Sequence, residues 1–234
     1  MRIIALDIAR TIAIVLMVIF HFCYDLKMFS YVDWDVPDGR GWQEFRWAIV
    51  TLFFLCLGVS LSLAYSVAIN WRKFSIRTGQ IALSAAAISI GSYYAVPKNW
   101  IFFGVLHFLA LSCILGIAFV RFPKLSVLLG FIVMGVGMLE LLPSRWPFYL
   151  FFDNLPSYTN DYVAFFPWFG MVLLGIGLGS TDWLKNDPFE RLKEHPKLHK
   201  PLTLIAWPGQ HSLSIYLLHQ PILVGILYLA SQFI

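Results

Sequence analysis

Charge is the scarcest commodity in this chain. Asp, Glu, Lys and Arg make up 13% of 234 residues while 59% are hydrophobic, a balance that excludes both an ordinary soluble domain and a disordered chain. Cysteine is sparse too. Cys23, Cys56 and Cys113 lie in or at the ends of apolar stretches without C-x-x-C or metal-ligand spacing. That excludes a disulfide framework and leaves them as small hydrophobes. No H-E-x-x-H and no nucleotide-phosphate loop occurs, so the motifs predict no metal. Repeats, low-complexity tracts and soluble-domain stretches are missing as well.

What the chain has in abundance is apolar runs. They fall at about 3–24, 46–69, 76–95, 101–120, 125–142, 162–179 and 211–232, each near the roughly 20 residues that cross a bilayer as a helix. The fold class predicted is all-α, a polytopic membrane helical bundle with seven transmembrane helices and a single domain over 1–234. The fifth run is the weakest, because Gly130, Gly135 and Gly137 dilute it before Pro143. Skipping it would reverse every later loop.

Charge placement sets the orientation. With the N-terminus in the cytoplasm, Arg2, Arg72, Lys73, Arg77, Arg121, Lys124, Lys185, Arg191, Lys193, Lys197 and Lys200 all lie inside. Outside are Lys27, Arg40, Arg46, Lys98 and Arg145, among acids such as Asp33, Asp35, Asp38, Glu44 and Asp153. The positive-inside rule therefore predicts N-terminus in and C-terminus out. The net charge of +4 follows from this bias and gives no reason to invoke nucleic acid. Asp7 and Arg10 interrupt the first apolar run and no small-x-small site follows, so that run is expected to stay as a membrane helix.

That helix carries a polar stripe. At about 100° per residue from Asp7, Arg10 falls near 300°, Thr11 near 40°, His21 near 320° and Asp25 near 0°. A charge in hydrocarbon costs at least about 2.5–3.5 kcal/mol, so such a face meets a bundle interior, a partner or water. The stripe has two levels, which the predicted orientation makes an inner one at Asp7 and Arg10 and an outer one at His21 and Asp25. Asp7 and Arg10, at i and i+3, suit either an ion pair or an anion site. His21 and Asp25, at i and i+4, have the spacing for a carboxylate to bond one imidazole nitrogen and leave the other as a general base; a His merely meeting the interface is the alternative.

Other polar residues interrupt apolar helices. His107 stands two turns into the fourth run, either as a packing residue or as a functional one. Ser212, Tyr216 and His219 share a face of the last run, where Pro221 tends to kink the helix and interhelical hydrogen bonding is the plain alternative. Asn160, Asp161 and Trp168 open the sixth run, where Asp161 suits a helix N-terminus. Loop 180–201, with Pro188, Pro196 and Pro201, reads as a solvated connector. A short stretch over Leu202–Trp207 is broken from the last helix by Pro208-Gly209. Trp34, Trp42, Trp100 and Trp146 read as an interfacial belt.

Several of these elements occur together in a known pattern. Leu6-Asp7-x-x-Arg10, Phe20-His21-Phe22-x-Tyr24-Asp25, Phe103-Gly104-Val105-Leu106-His107, Asn160-Asp161-Tyr162 with Phe166-Pro167-Trp168, and His211-Ser212-Leu213-Ser214-Ile215-Tyr216-Leu217-Leu218-His219-Gln220-Pro221 resemble short bacterial members of the heparan-alpha-glucosaminide N-acetyltransferase catalytic-domain family, over nearly the whole chain. The first and last also resemble the broader integral-membrane acyltransferase superfamily. The resemblance implies a multi-pass protein of the bacterial inner membrane. It would take acetyl-CoA from the cytoplasm and acylate a hydroxyl or amine of a sugar or envelope glycan outside.

The key His of the lysosomal relatives lies in the loop after the opening helix. Residues 26–45 contain no His, so the role passes to His21, with Asp25 and His107 as further catalytic candidates. Asp7, Arg10, Tyr216 and His219 are the candidates for holding acetyl-CoA, and Asn160, Asp161 and Trp168 for the acceptor. Lipids, acyl-CoA and the glycan acceptor are the expected partners, and self-association into a homo-oligomer is compatible with the pattern. The competing class is a transporter or scaffold subunit, since intramembrane Asp, Arg and His also mark ion pathways.

Overall fold

The computed structural model describes residues 3–150, 159, 161–190, 192 and 195–233. Arg2, Asp153, Arg191 and Lys193, which enter the charge comparison, lie outside the described residues, as does Asn160. The described residues are helical, with no strand among them beyond an isolated bridge between Phe103 and Tyr162. In chain order the helices are α1 Ile4–Met28, α2 Arg40–Tyr65, α3 Trp71–Ala95, α4 Val105–Gly116, α5 Pro123–Met138, α6 Trp168–Gly179, α7 Asp182–Lys185, α8 Pro196–Gln210 and α9 Ser212–Ser231, with a 3-10 turn at Phe148–Leu150.

Each predicted run contains a helix, but the helices differ in reach. Three of them, α1, α2 and α9, are long and apolar enough to cross a membrane. Helix α3 has 25 residues, but Thr78, Gln80, Ser84, Ser89 and Ser92 dilute its apolar character. Helices α4 and α6 have 12 residues each, about 18 Å at 1.5 Å per residue, short of a bilayer core of about 30 Å.

The chain divides into two compact units, Met1–Phe53 with Asn186–Ile234, and Phe54–Lys185. In the first, α1 packs along α8 and α9. Its leading amides have no cap from their own neighbours: Asp187 supplies one from far along the chain, accepting from the Ile4 amide at 2.6 Å and the Ala5 amide at 3.3 Å. An oxygen at a helix N-terminus answers both the orphan donors and the helix dipole. At the other end the Tyr31 amide reaches the Leu26 carbonyl and Ser30 turns at φ 61°, a Schellman-type stop built without glycine. Beyond it Ile14, Met17, Phe20, Val36 and Ile49 form the buried cluster of this unit.

The connector expected over 180–201 is corrected here. It holds α7 and the start of α8, and α8 runs through Pro201 and Pro208 to Gln210 before the chain breaks at His211. Pro196 opens α8, a position where its missing N–H is no loss. The weak point predicted at Pro208-Gly209 is real in a different form. The Gly209 amide, whose ordinary partner would be the Ile205 carbonyl, donates to Thr11 Oγ1 at 2.9 Å, and Thr11 Oγ1 reaches that carbonyl at 2.8 Å. A hydroxyl has one proton to give, which the Asp7 carbonyl at 3.0 Å also attracts. Thr11 is thus inserted into the ladder of α8. The approach is so close that a Cβ at residue 209 would strike the Asp7 carbonyl.

In the second unit several glycines stand where backbones meet, two of those that dilute the fifth run, Gly130 and Gly137, among them, while Gly135 faces open space. A Cβ at Gly175 would strike the Leu55 carbonyl, and one at Gly58 would strike the Val172 carbonyl. Small residues permit such approach where lipid offers no hydrophobic drive between helices. Gly130 and Gly170 bring α5 and α6 together in the same way. Phe54, fully buried, stacks at 4.3 Å on Phe108 beside Trp168.

Two outcomes follow from these contacts. Thr11→Val, nearly isosteric, leaves the Gly209 amide and the Ile205 carbonyl without their go-between and lowers stability by about 1–3 kcal/mol, measurable by thermal unfolding in detergent. Gly175→Val overpacks α6 against α2 and is destabilising by about 1–3 kcal/mol; Gly135→Val, where a Cβ meets open space, is its control and leaves the unfolding temperature unchanged.

Candidate functional site

The two polar levels of α1 meet different parts of the first unit. At the inner level Arg10 Nη1 lies 3.2 Å from Asp7 Oδ1, and Gln210 Nε2 donates to Asp7 Oδ2 at 3.3 Å. Both carboxylate oxygens are engaged, on a residue that is 2% exposed. Of the two readings of the Asp7/Arg10 spacing, the ion pair is the one formed, with Gln210 of α8 as its third member.

At the outer level the partners differ from those the spacing suggested. The His21 ring lies edge-on to the His219 ring with centroids 4.9 Å apart, and no hydrogen bond joins His21 to Asp25 among the described residues. Asp25 is fully buried, and its Oδ1 accepts instead from Gln220 Nε2 at 2.7 Å. Two residue pairs therefore link α1 to α9, His21 with His219 and Asp25 with Gln220, a turn apart on α1 and adjacent on α9. His219 Nδ1 lies 2.7 Å from the Tyr216 carbonyl. Three buried acceptors near this crossing have no partner among the described residues: Asp25 Oδ2, Gln220 Oε1 and His219 Nε2.

His107 belongs to the second unit and sits in a closed set of bonds. Its Nδ1 accepts from the Gly104 amide at 3.2 Å, and its Nε2 lies 3.0 Å from Ser89 Oγ. Ser89 Oγ in turn donates to the Ile101 carbonyl at 2.6 Å. An amide can only donate, so Nδ1 carries the lone pair and Nε2 the proton. Both nitrogens are spoken for, at the first turn of α4. Asp161 was expected at the start of the sixth helix, but α6 opens later, at Trp168. The Asp161 carboxylate caps α4 instead, accepting from the Val105 amide at 3.0 Å. The indole of Trp168 packs on Phe54. Among the described residues no group of three His, Cys, Asp or Glu could hold a metal ion.

Compared with known families, residues 2–221 match the heparan-alpha-glucosaminide N-acetyltransferase catalytic domain. The chain belongs to this family. No curated protein and no solved structure matches it. Membership makes the chain a membrane acetyltransferase by family, and acetyl-CoA is the donor that the family uses.

In this acetyltransferase-family chain, three residues that the sequence reading passed over do much of the positioning. Gln220 was read only as part of a terminal motif, yet it holds Asp25. Asp187 sat in a charged connector 183 residues from the amide it caps. Gln210 neighbours the expected break yet completes the Asp7 pair. Only Gln220 had a local signal, being a polar residue beside His219 on an otherwise apolar helix.

The bonding of His107 predicts a structural phenotype. His107→Ala frees the Gly104 amide and the Ser89 hydroxyl and costs about 1–3 kcal/mol of stability, read by thermal unfolding. His107→Asn, which can offer one acceptor and one donor, recovers part of it.

Proposed function

We propose that this chain acts as one transmembrane acyltransferase domain, moving an acetyl group from cytoplasmic acetyl-CoA to a hydroxyl or amine of a sugar or envelope glycan on the outer side. The observation that carries the reading is the crossing of α1 and α9 in a member of an acetyltransferase family: two imidazoles in ring contact, beside a carboxylate and an amide whose free atoms are all acceptors. Hydroxyls and amines bring the donors that such a lining lacks. A buried acceptor left unmatched costs about 1–3 kcal/mol, so a ligand that fills the set gains what the empty site forgoes.

The proposed topology is seven crossings with the N-terminus inside and the C-terminus outside, in a bacterial inner membrane. The positive-inside bias supports it. In that orientation the Asp7, Arg10 and Gln210 set lies toward the cytoplasmic donor. A guanidinium beside the acyl donor suits phosphate oxygens, which its planar fork can meet in bidentate fashion. His21 and Asp25 lie toward the acceptor, with His21 as general base or as the residue that takes the acyl group. Tyr216 and His219 line the same level. The side chains of Asp161 and Trp168 serve the fold, by the cap and the packing contact described above.

Purified protein in nanodiscs, given labelled acetyl-CoA and a panel of amino sugars and glycans, is expected to release free CoA and label an acceptor. His21→Ala is expected to lower turnover by about 10²–10⁴-fold without shifting the unfolding temperature. Turnover that survives His21→Ala removes His21 from the reacting centre. A wild-type protein that neither binds nor cleaves acetyl-CoA refutes the enzyme and favours a transporter or scaffold using the same polar path.

A further inference from the structure

The bonding that the sequence suggested for His21 is found on a different histidine. An imidazole works as a base when one nitrogen is fixed as a donor and the other keeps an exposed lone pair facing the reacting group. The partner of His219 Nδ1 is the Tyr216 carbonyl at 2.7 Å. A carbonyl can only accept, so the proton is on Nδ1 and the lone pair on Nε2. That Nε2 is buried with no hydrogen-bond partner among the described residues, on a residue 9% exposed. Asp25, the residue expected to fix a histidine, is instead held by Gln220 at 2.7 Å.

We infer that His219, in place of His21, is the general base of the site, with the Tyr216 carbonyl in the orienting role that a carboxylate fills elsewhere, that His21 keeps the other of its two proposed roles, toward the acyl group, and that Gln220 is a positioning residue acting through Asp25. The inference rests on the acyltransferase reading and divides the work within it. As the acceptor oxygen or nitrogen bonds to the acetyl carbon, its proton passes to His219 Nε2. The resulting imidazolium keeps its Nδ1 proton on the Tyr216 carbonyl, which stabilises the new positive charge. The carbon–sulfur bond then breaks, and Nε2 returns that proton to the departing CoA thiolate. His21, in ring contact with His219, is left to face the acyl carbonyl. Asp25 Oδ2, held in place by Gln220, accepts from the acceptor's remaining hydroxyls or amine.

The test uses the full chain in nanodiscs with acetyl-CoA as donor, D-glucosamine as one acceptor and hydroxylamine, which attacks thioesters without a base, as the other. For His219→Gln, transfer to glucosamine is expected to fall by about 10²-fold or more with KM for acetyl-CoA unchanged, while transfer to hydroxylamine stays near wild type. Gln220→Ala is expected to raise KM for glucosamine more than it lowers kcat, and Gln220→Glu not to rescue it. If His219→Gln keeps glucosamine turnover within about threefold, or loses both acceptors equally, His219 is not the base. Nitrogen-15 NMR of histidine-labelled protein decides the tautomer without any turnover. The signal lost in His219→Gln is expected to show a protonated Nδ1 and an unprotonated Nε2, with His107 in the opposite form as a control for folding. A protonated Nε2 on His219 overturns the inference. Absence of acetyl-CoA cleavage by the wild type with either acceptor overturns the acyltransferase reading itself, whatever the tautomer.

Discussion

The first unit depends on one constraint: a polar group carried on an apolar helix must find its partner on another helix, because hydrocarbon offers none. Thr11 shows the constraint at its sharpest. Its hydroxyl takes the place of a missing rung in α8, between the Gly209 amide and the Ile205 carbonyl, so α8 is complete only when α1 is beside it. Pro208 leaves the neighbouring rung, to the Leu204 carbonyl, without its N–H, and Gly209 lets the Asp7 carbonyl come close. The Asp7, Arg10 and Gln210 bonds lie one turn away and fix the same pair of helices. Asp187 completes the seam by capping α1 from just before α8. Three different chemistries, a hydroxyl, an ion pair and a cap, thus hold one register.

The outer level obeys the same constraint only in part, and that difference points to function. Inner polar atoms such as both Asp7 oxygens are matched, whereas Asp25 Oδ2, Gln220 Oε1 and His219 Nε2 are not. Structural polar networks are stable when every member is satisfied and costly when half satisfied. A buried cluster with three acceptors left over suits a ligand that arrives with donors, as the proposed acceptor does. Phe20 packs edge-on to His21 and Phe53 to Tyr216, so the apolar cluster of this unit adjoins the same crossing.

The apolar runs were legible because the bilayer length and the 3.6-residue period act locally, so each run contains a helix and the two polar levels of α1 could be read as one face. Their limits were less legible. The fourth and sixth runs shorten to 12-residue helices because Gly104 and the Phe166-Pro167 pair set starts that depend on Asp161 and on contacts with α5. Partners across the chain left no local trace. Spacing put Asp25 one turn from His21, a correct statement about α1, but α9 supplies Gln220, a better-placed donor for a carboxylate than a second imidazole. Asp161 read as a cap for the nearest helix and is a cap for a helix 56 residues earlier, since a carboxylate answers whichever amides the fold brings to it.

His107 and His219 carry the same ring in apolar helices and come out as opposites, for a reason that lies in the backbone. His107 is at the third position of α4, where an uncapped amide waits at Gly104 and draws a lone pair from Nδ1. His219 is inside α9, where amides are already used and Nδ1 meets carbonyl oxygen, that of Tyr216 at 2.7 Å. The first placement fixes the proton on Nε2, where Ser89 takes it, and the ring becomes a brace. The second fixes the proton on Nδ1 and leaves Nε2 with nothing to hold. Position within the helix therefore sorts the histidines before any substrate does: near a helix start the histidine is consumed by capping, and within the helix, two residues before a proline, it keeps a nitrogen without a hydrogen-bond partner, the one on which the proposal for His219 rests.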